Sequence, residues 1–202
     1  DMTNKGRLVY SGDTNFGYFS KVALANQIGI RDARVHIPTD EEISVSAEFT
    51  FPRVAPYPDD TMRMIDRIDV FDPKGGPNNL GFIRAYIDVD PSLWFFRAHF
   101  YQDPVWPGSL GLEAMLQLIK YVAAERWGVG GTPQFEAVAI GEPHKWIYRG
   151  QVIPGDERVT VQASITGYDD ARQLLHADGF LTVDGRVIYQ MQDFTVRYSE
   201  RP

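Results

Sequence analysis

The sequence predicts an α+β fold, with one long central helix and a run of antiparallel strands after it. Two observations carry this. Ser109–Trp127 has helical apolar spacing at Leu112, Met115, Leu116, Ile119, Val122 and Ala123. Everything after it is strand-like, and helices do not alternate with strands as a parallel sheet requires. At 202 residues the chain can bury one sizeable core.

Taken in order, residues 1–56 read as an N-terminal arm or linker and residues 57–202 as the main domain. Phe19–Ile30 is predicted as a short helix, capped by Ser20 and ending near Gly29. Ile43–Phe51 alternates polar and apolar residues and is predicted as a strand. Pro52, Pro56 and Pro58 then break the chain. Arg63–Phe71 and Leu80–Asp88 are predicted strands, divided by the turn Pro73-Lys74-Gly75-Gly76-Pro77. Trp94–Gly108 is aromatic and irregular, with Pro104 and Pro107. Ser109 is the expected N-cap of the long helix, and Gly128, Gly130 and Gly131 its stop. Phe135–Gly141, Lys145–Val152, Arg158–Gly167, Leu174–Val183 and Arg186–Tyr198 are rich in β-branched and aromatic residues and are predicted strands. Asp184-Gly185 marks a two-residue hairpin, and Pro154-Gly155-Asp156 another tight turn.

Composition excludes several function classes. The net charge is −7, without the basic footprint of a nucleic-acid binder. No polybasic segment addresses an anionic membrane, and no apolar run approaches the ~18 residues of a bilayer span. The absence of cysteine excludes a disulfide scaffold, a thiol nucleophile and a thiolate metal site. His36, His99, His144 and His176 show no metal-ligand spacing. The polar N-terminus shows no signal peptide, which makes a cytoplasmic location the default expectation.

The stretch Trp94–Leu118 carries the chemistry. It sets His99 in an aromatic loop, then Pro107-Gly108 as a bend that opens the helix, then Glu113 on its second turn. A helix start offers unpaired N–H groups and positive potential, which suits a developing oxyanion. Gly108 leaves room for close backbone approach. Taken singly, these residues have plainer readings. A histidine among aromatics is more often packed, and a glutamate beside an apolar face usually keeps its head in water. Asp103 is a competing carboxylate, but Asp-Pro before a bend is turn chemistry. His36, His144 and His176 read as structural or surface residues.

The order of the stretch weighs more than its parts. Trp94-Phe95-Phe96, His99-Phe100, Asp103-Pro104-Val105, Pro107-Gly108, Leu110-Gly111-Leu112-Glu113-Ala114-Met115 and Gln117 closely resemble the active-site motif of the bacterial β-hydroxydecanoyl-ACP dehydratase/isomerase family. Asp66-Arg67-Ile68, Gly150-Gln151-Val152-Ile153-Pro154 and Ala177-Asp178-Gly179 extend the resemblance over roughly residues 57–198. It implies a hot-dog fold, an antiparallel sheet wrapped around the long helix. It also implies dimers, or a pseudo-dimer with a second hot-dog domain, in which each site takes its histidine and its carboxylate from different hot dogs. By resemblance, His99 abstracts the C2 proton of a (3R)-hydroxyacyl thioester and Glu113 helps the C3 hydroxyl leave. Gly108 N–H would polarise the thioester carbonyl, Val105 C=O would orient the histidine, and Gln117 would hold the carboxylate. The chemistry itself wants a base near neutral pKa, an acid for the hydroxide and donors for the enolate-like oxygen. It requires no metal or redox cofactor.

Two departures from the family refine this. Isomerase-competent members carry Asp where this chain has Glu113, so dehydration alone is expected over dehydration with isomerisation. Trp106 and Leu116 also differ, and Ser109 replaces a cysteine. In the arm, Val9–Ser20 and Ala23–Gly29 resemble the linker before dehydratase domains of polyunsaturated fatty acid synthases and related polyketide synthases. That resemblance implies a domain excised from a synthase, with an acyl carrier protein as partner and the substrate on its phosphopantetheine. Carrier proteins are acidic, and Arg97, Lys145 and Arg149 are candidates to meet one. A hot-dog thioesterase and a non-catalytic hot dog completing a partner's dimer are the competing expectations.

Overall fold

The computed structural model describes residues 1–15, 17–18, 20–128 and 131–201, without the side chains of Lys21 and Arg201. Phe19 and Gly130, expected at a helix start and a helix stop, lie outside the described residues.

The arm opens with a small hairpin, β1 (Met2–Asn4) and β2 (Arg7–Tyr10). Helix α1 (Lys21–Ala25) is shorter than expected, but Ser20 caps it, accepting from Ala23 N–H at 3.2 Å. Gly29 has φ +76° and lets the arm lie against the Val187 carbonyl, which accepts from Ile30 N–H at 2.8 Å. Gln27 Oε1 accepts from Gln151 N–H at 2.6 Å, so the arm is fastened to the main body there.

The predicted strand Ile43–Phe51 is corrected. Its first residues belong to helix α2 (Asp40–Ser44), and only β3 (Phe49–Thr50) is extended. The reason is a capping box. Thr39 Oγ1 accepts from Glu42 N–H at 3.2 Å, and Glu42 Oε2 accepts from Thr39 N–H at 2.7 Å. Three acidic residues in the first turn also suit the positive helix end. Glu42 further accepts from Gly76 N–H at 2.6 Å and pairs with His36 Nε2 at 2.9 Å, tying α2 to the turn before the main sheet continues.

Strands β4 (Arg67–Asp72) and β5 (Phe82–Asp88) match expectation within a few residues. Trp94–Gly108 is not wholly irregular, because α3 (Trp94–Ala98) is a short helix that buries Phe95 and Phe96 against Trp106. Helix α4 (Gly108–Trp127) is the expected long helix. Ser109 does not cap it. Pro107 holds the N-cap position without a side-chain bond, and its carbonyl accepts from Leu110 N–H at 3.0 Å.

After α4 come β6 (Thr132–Ala137), β7 (Lys145–Tyr148), β8 (Arg158–Asp169), β9 (Leu174–Val183) and β10 (Arg186–Arg201). The main sheet is antiparallel throughout, in the order β3-β4-β5-β8-β9-β10-β6, with β7 also on β10. Asp184 and Gly185 both have positive φ and form the expected tight hairpin. The curled sheet wraps α4. Met115, Leu118, Ile119 and Val122 of the helix pack with Ile83, Val161, Ala177 and Val196 of the strands in one core. This is a hot dog.

Candidate active site

His99 sits at the C-cap of α3, its backbone N–H donating to Phe95 O at 3.0 Å. Its imidazole is half-buried and stacked on Phe100, with ring centroids 3.9 Å apart. Nδ1 lies 3.0 Å from the Val105 carbonyl. A carbonyl oxygen only accepts, so this bond places a proton on Nδ1 and selects, for the neutral ring, the tautomer whose lone pair is on Nε2. Val105 is itself fixed, because it is buried and the next residue, Trp106, donates its N–H to Val152 O at 3.0 Å.

The start of α4 presents bare donors. Leu110 and Gly111 N–H both turn back to Pro107 O, while Gly108 and Ser109 N–H have no partner among the described residues. Gly108 lies under an aromatic wall. A Cβ there would meet the Tyr148 ring at 3.3 Å and the Trp146 ring at 3.5 Å. Those two rings stack nearly parallel, with centroids 5.8 Å apart. Behind them, burial and then the neighbouring Tyr148 push the Tyr189 hydroxyl well above its ordinary pKa. Sequence reading missed this wall, although the Trp146-x-Tyr148 alternation on one strand face was the signal for it.

Glu113 is half-buried on the second turn of α4. Gln117, one turn later, is fully buried and uses every group it has. Its Oε1 accepts from Met64 N–H at 3.0 Å, and its Nε2 donates to Met62 O at 2.9 Å and to Glu113 Oε1 at 3.1 Å. Lys120 Nζ also donates to Glu113 Oε1, at 3.0 Å. Sequence reading missed Lys120. Its seven-residue spacing from Glu113 returns it to nearly the same helix line, which was the available signal.

Within the chain, His99 and Glu113 are not hydrogen-bonded or ion-paired to each other. Asp103 is exposed in the turn after His99 and makes no side-chain bond among the described residues. Arg97, Lys145 and Arg149 are exposed, and none forms an ion pair among the described residues. No group of three or more His, Asp or Glu among the described residues is arranged to hold a metal ion. No described helix is long and apolar enough to cross a membrane.

Residues 57–192 match the model of the FabA-like domain, about two-thirds of the chain. The chain belongs to the FabA-like family. The FabA-like span contains both His99 and Glu113 and begins after the arm. Solved structures share the fold at low identity. The dehydratase heterocomplex ApeI:P from Xenorhabdus doucetiae aligns at 13% identity over 76% of this chain and 93% of that one, with a TM-score of 0.55. A mutant of the thioesterase PA1618 from Pseudomonas aeruginosa aligns at 13% identity over 67% and 81%, with a TM-score of 0.47. At 13% identity the likeness to the heterocomplex is one of fold alone.

Proposed function

We propose that this FabA-like domain dehydrates a (3R)-hydroxyacyl thioester, carried by an acyl carrier protein, to the trans-2-enoyl thioester. The observation that carries the reading is the His99–Val105 bond, which at the end of α3 leaves Nε2 as the base, on the segment that leads into the donor-bearing start of α4. His99 takes the C2 proton. Gly108 N–H meets the thioester oxygen as charge builds there. Glu113 meets the C3 hydroxyl and helps it leave. Val105 and Gln117 orient these two groups. No cofactor enters the scheme.

His99 and Glu113 share no hydrogen bond or ion pair within one chain, and in keeping with the family resemblance the working pair takes its second member from another hot dog, a copy or a neighbouring domain. Arg97, Lys145 and Arg149 offer exposed positive charge for the acidic carrier protein.

Mass spectrometry of carrier-bound 3-hydroxyacyl substrates tests the reading through loss of water and double-bond position. His99→Ala and Glu113→Gln are each expected to lower turnover on the order of 10²- to 10⁴-fold. Mixing the two variants restores about a quarter of the wild-type sites if the pair forms across two identical subunits that exchange freely. Release of free acid instead of enoyl product would overturn the dehydratase in favour of a thioesterase.

A further inference from the structure

The Glu113 carboxylate is gripped by one oxygen. Gln117 Nε2 and Lys120 Nζ both donate to Oε1, at 3.1 and 3.0 Å, while Oε2 has no partner among the described residues. Neither donor is loosely placed. Gln117 is anchored by Met62 O and Met64 N–H on a separate segment, so its amide cannot turn without breaking two more bonds. The Lys120 side chain is only 17% exposed and makes its one ion pair with Glu113, itself 25% exposed. Two donors on one oxygen fix the rotation of the carboxylate, and therefore which oxygen faces outward.

We propose that Lys120 is a positioning residue for Glu113. With Gln117 it pins Oε1 of an ionised carboxylate and leaves Oε2 as the oxygen that meets the substrate's C3 hydroxyl. The proposal rests on the dehydratase reading for the identity of that hydroxyl, but the grip itself does not depend on it.

The consequence concerns the proton that leaves with the hydroxyl. A carboxylate paired to an ammonium accepts a hydrogen bond from the C3 hydroxyl and orients it. It does not supply a proton. His99 then serves both steps. The C2–H bond breaks and its proton goes to His99 Nε2. The electron pair left on C2 forms the C2=C3 bond, and the C3–O bond breaks with its pair on oxygen. The imidazolium returns its proton to that oxygen, so water leaves and His99 ends neutral.

Lys120→Met and Lys120→Arg test this with two readouts. The first needs no activity. The Glu113 carboxyl band is isolated as the infrared difference between wild type and Glu113→Gln. It is expected as an ionised-carboxylate band in wild type, displaced in Lys120→Met and returned by Lys120→Arg. A protonated-acid band in wild type, or a band that Lys120→Met leaves unmoved, overturns the proposal. The second is turnover. Lys120→Met is expected to lose on the order of 10- to 100-fold in kcat with KM within about twofold, and Lys120→Arg to recover most of it. An unchanged kcat in Lys120→Met also overturns it. Thermal unfolding of each variant is measured first, and Lys120→Gln replaces Lys120→Met if the latter does not fold. Should the wild type fail to dehydrate any substrate, the dehydratase reading falls while the infrared result still decides the role of Lys120.

Discussion

Gln117 shows how much one buried polar side chain can hold. It joins α4 to the Met62–Met64 segment and also faces the carboxylate of Glu113. Gln117→Leu strands the buried Met64 N–H, at a cost of about 1–3 kcal/mol, while the carbonyl of the exposed Met62 can turn to water. A urea titration is expected to show a lower midpoint with the slope unchanged. The side chain was legible as a partner of Glu113 from the one-turn spacing and the family motif. Its bonds to Met62 and Met64 were not, because those residues are over fifty positions away in sequence. Lys120 was missed for a different reason. A lysine on a helix is usually solvated charge, and only the fold buries this one beside a carboxylate.

At the scale of elements, α4 lies against β10 through the absence of a side chain. A Cβ on Gly111 would fall 2.7 Å from Tyr189 Cζ and 2.8 Å from its hydroxyl, and that ring is 1% exposed. Gly111→Ala gains up to ~1 kcal/mol of helix propensity but forces a buried ring to move, at about 1–3 kcal/mol. The packing effect wins. Differential scanning calorimetry should find Tm lowered by about 2–4 °C per kcal/mol of net loss. The β8–β10 meander was legible because alternation and turn residues agreed there. The α2 segment was not, because Ile43–Phe51 alternates as a strand does, whereas the capping box of Thr39 and Glu42 that starts the helix lies ahead of that alternation. Helix α3 was hidden by its aromatic content, which carries little helical preference, and its support is the tertiary contact of Phe95 and Phe96 with Trp106.

For the whole molecule, the arm is part of the stability of the sheet. Burial raises the pKa of Glu42, but the N–H groups of Gly76 and Thr39 and the side chain of His36 outweigh it and bring the carboxyl down to about 2. A depressed carboxyl stabilises the fold above its unfolded value, near 4.5, and that contribution drains away as pH falls toward about 2. It amounts to as much as ~3 kcal/mol. Denaturant midpoints of wild type and Glu42→Gln should differ most near neutral pH and converge in strong acid. A gap independent of pH would refute the assignment. The hot-dog architecture was legible through the motif. The fastening of the arm was not, since Glu42 with Gly76 and Gln27 with Gln151 join residues that no local pattern connects.

Strand β10 has one more consequence. It pairs with β9 along one edge, and along the other it pairs first with β7 and then with β6. Among the described residues, β6 and β7 have no other strand partner. Both precede β10 in the chain, and neither can take its place in the sheet until β10 is available. The closing of this sheet is therefore timed by its last strand. A released fragment ending at residue 185 should stay sensitive to protease, and one that runs through residue 201 should resist it.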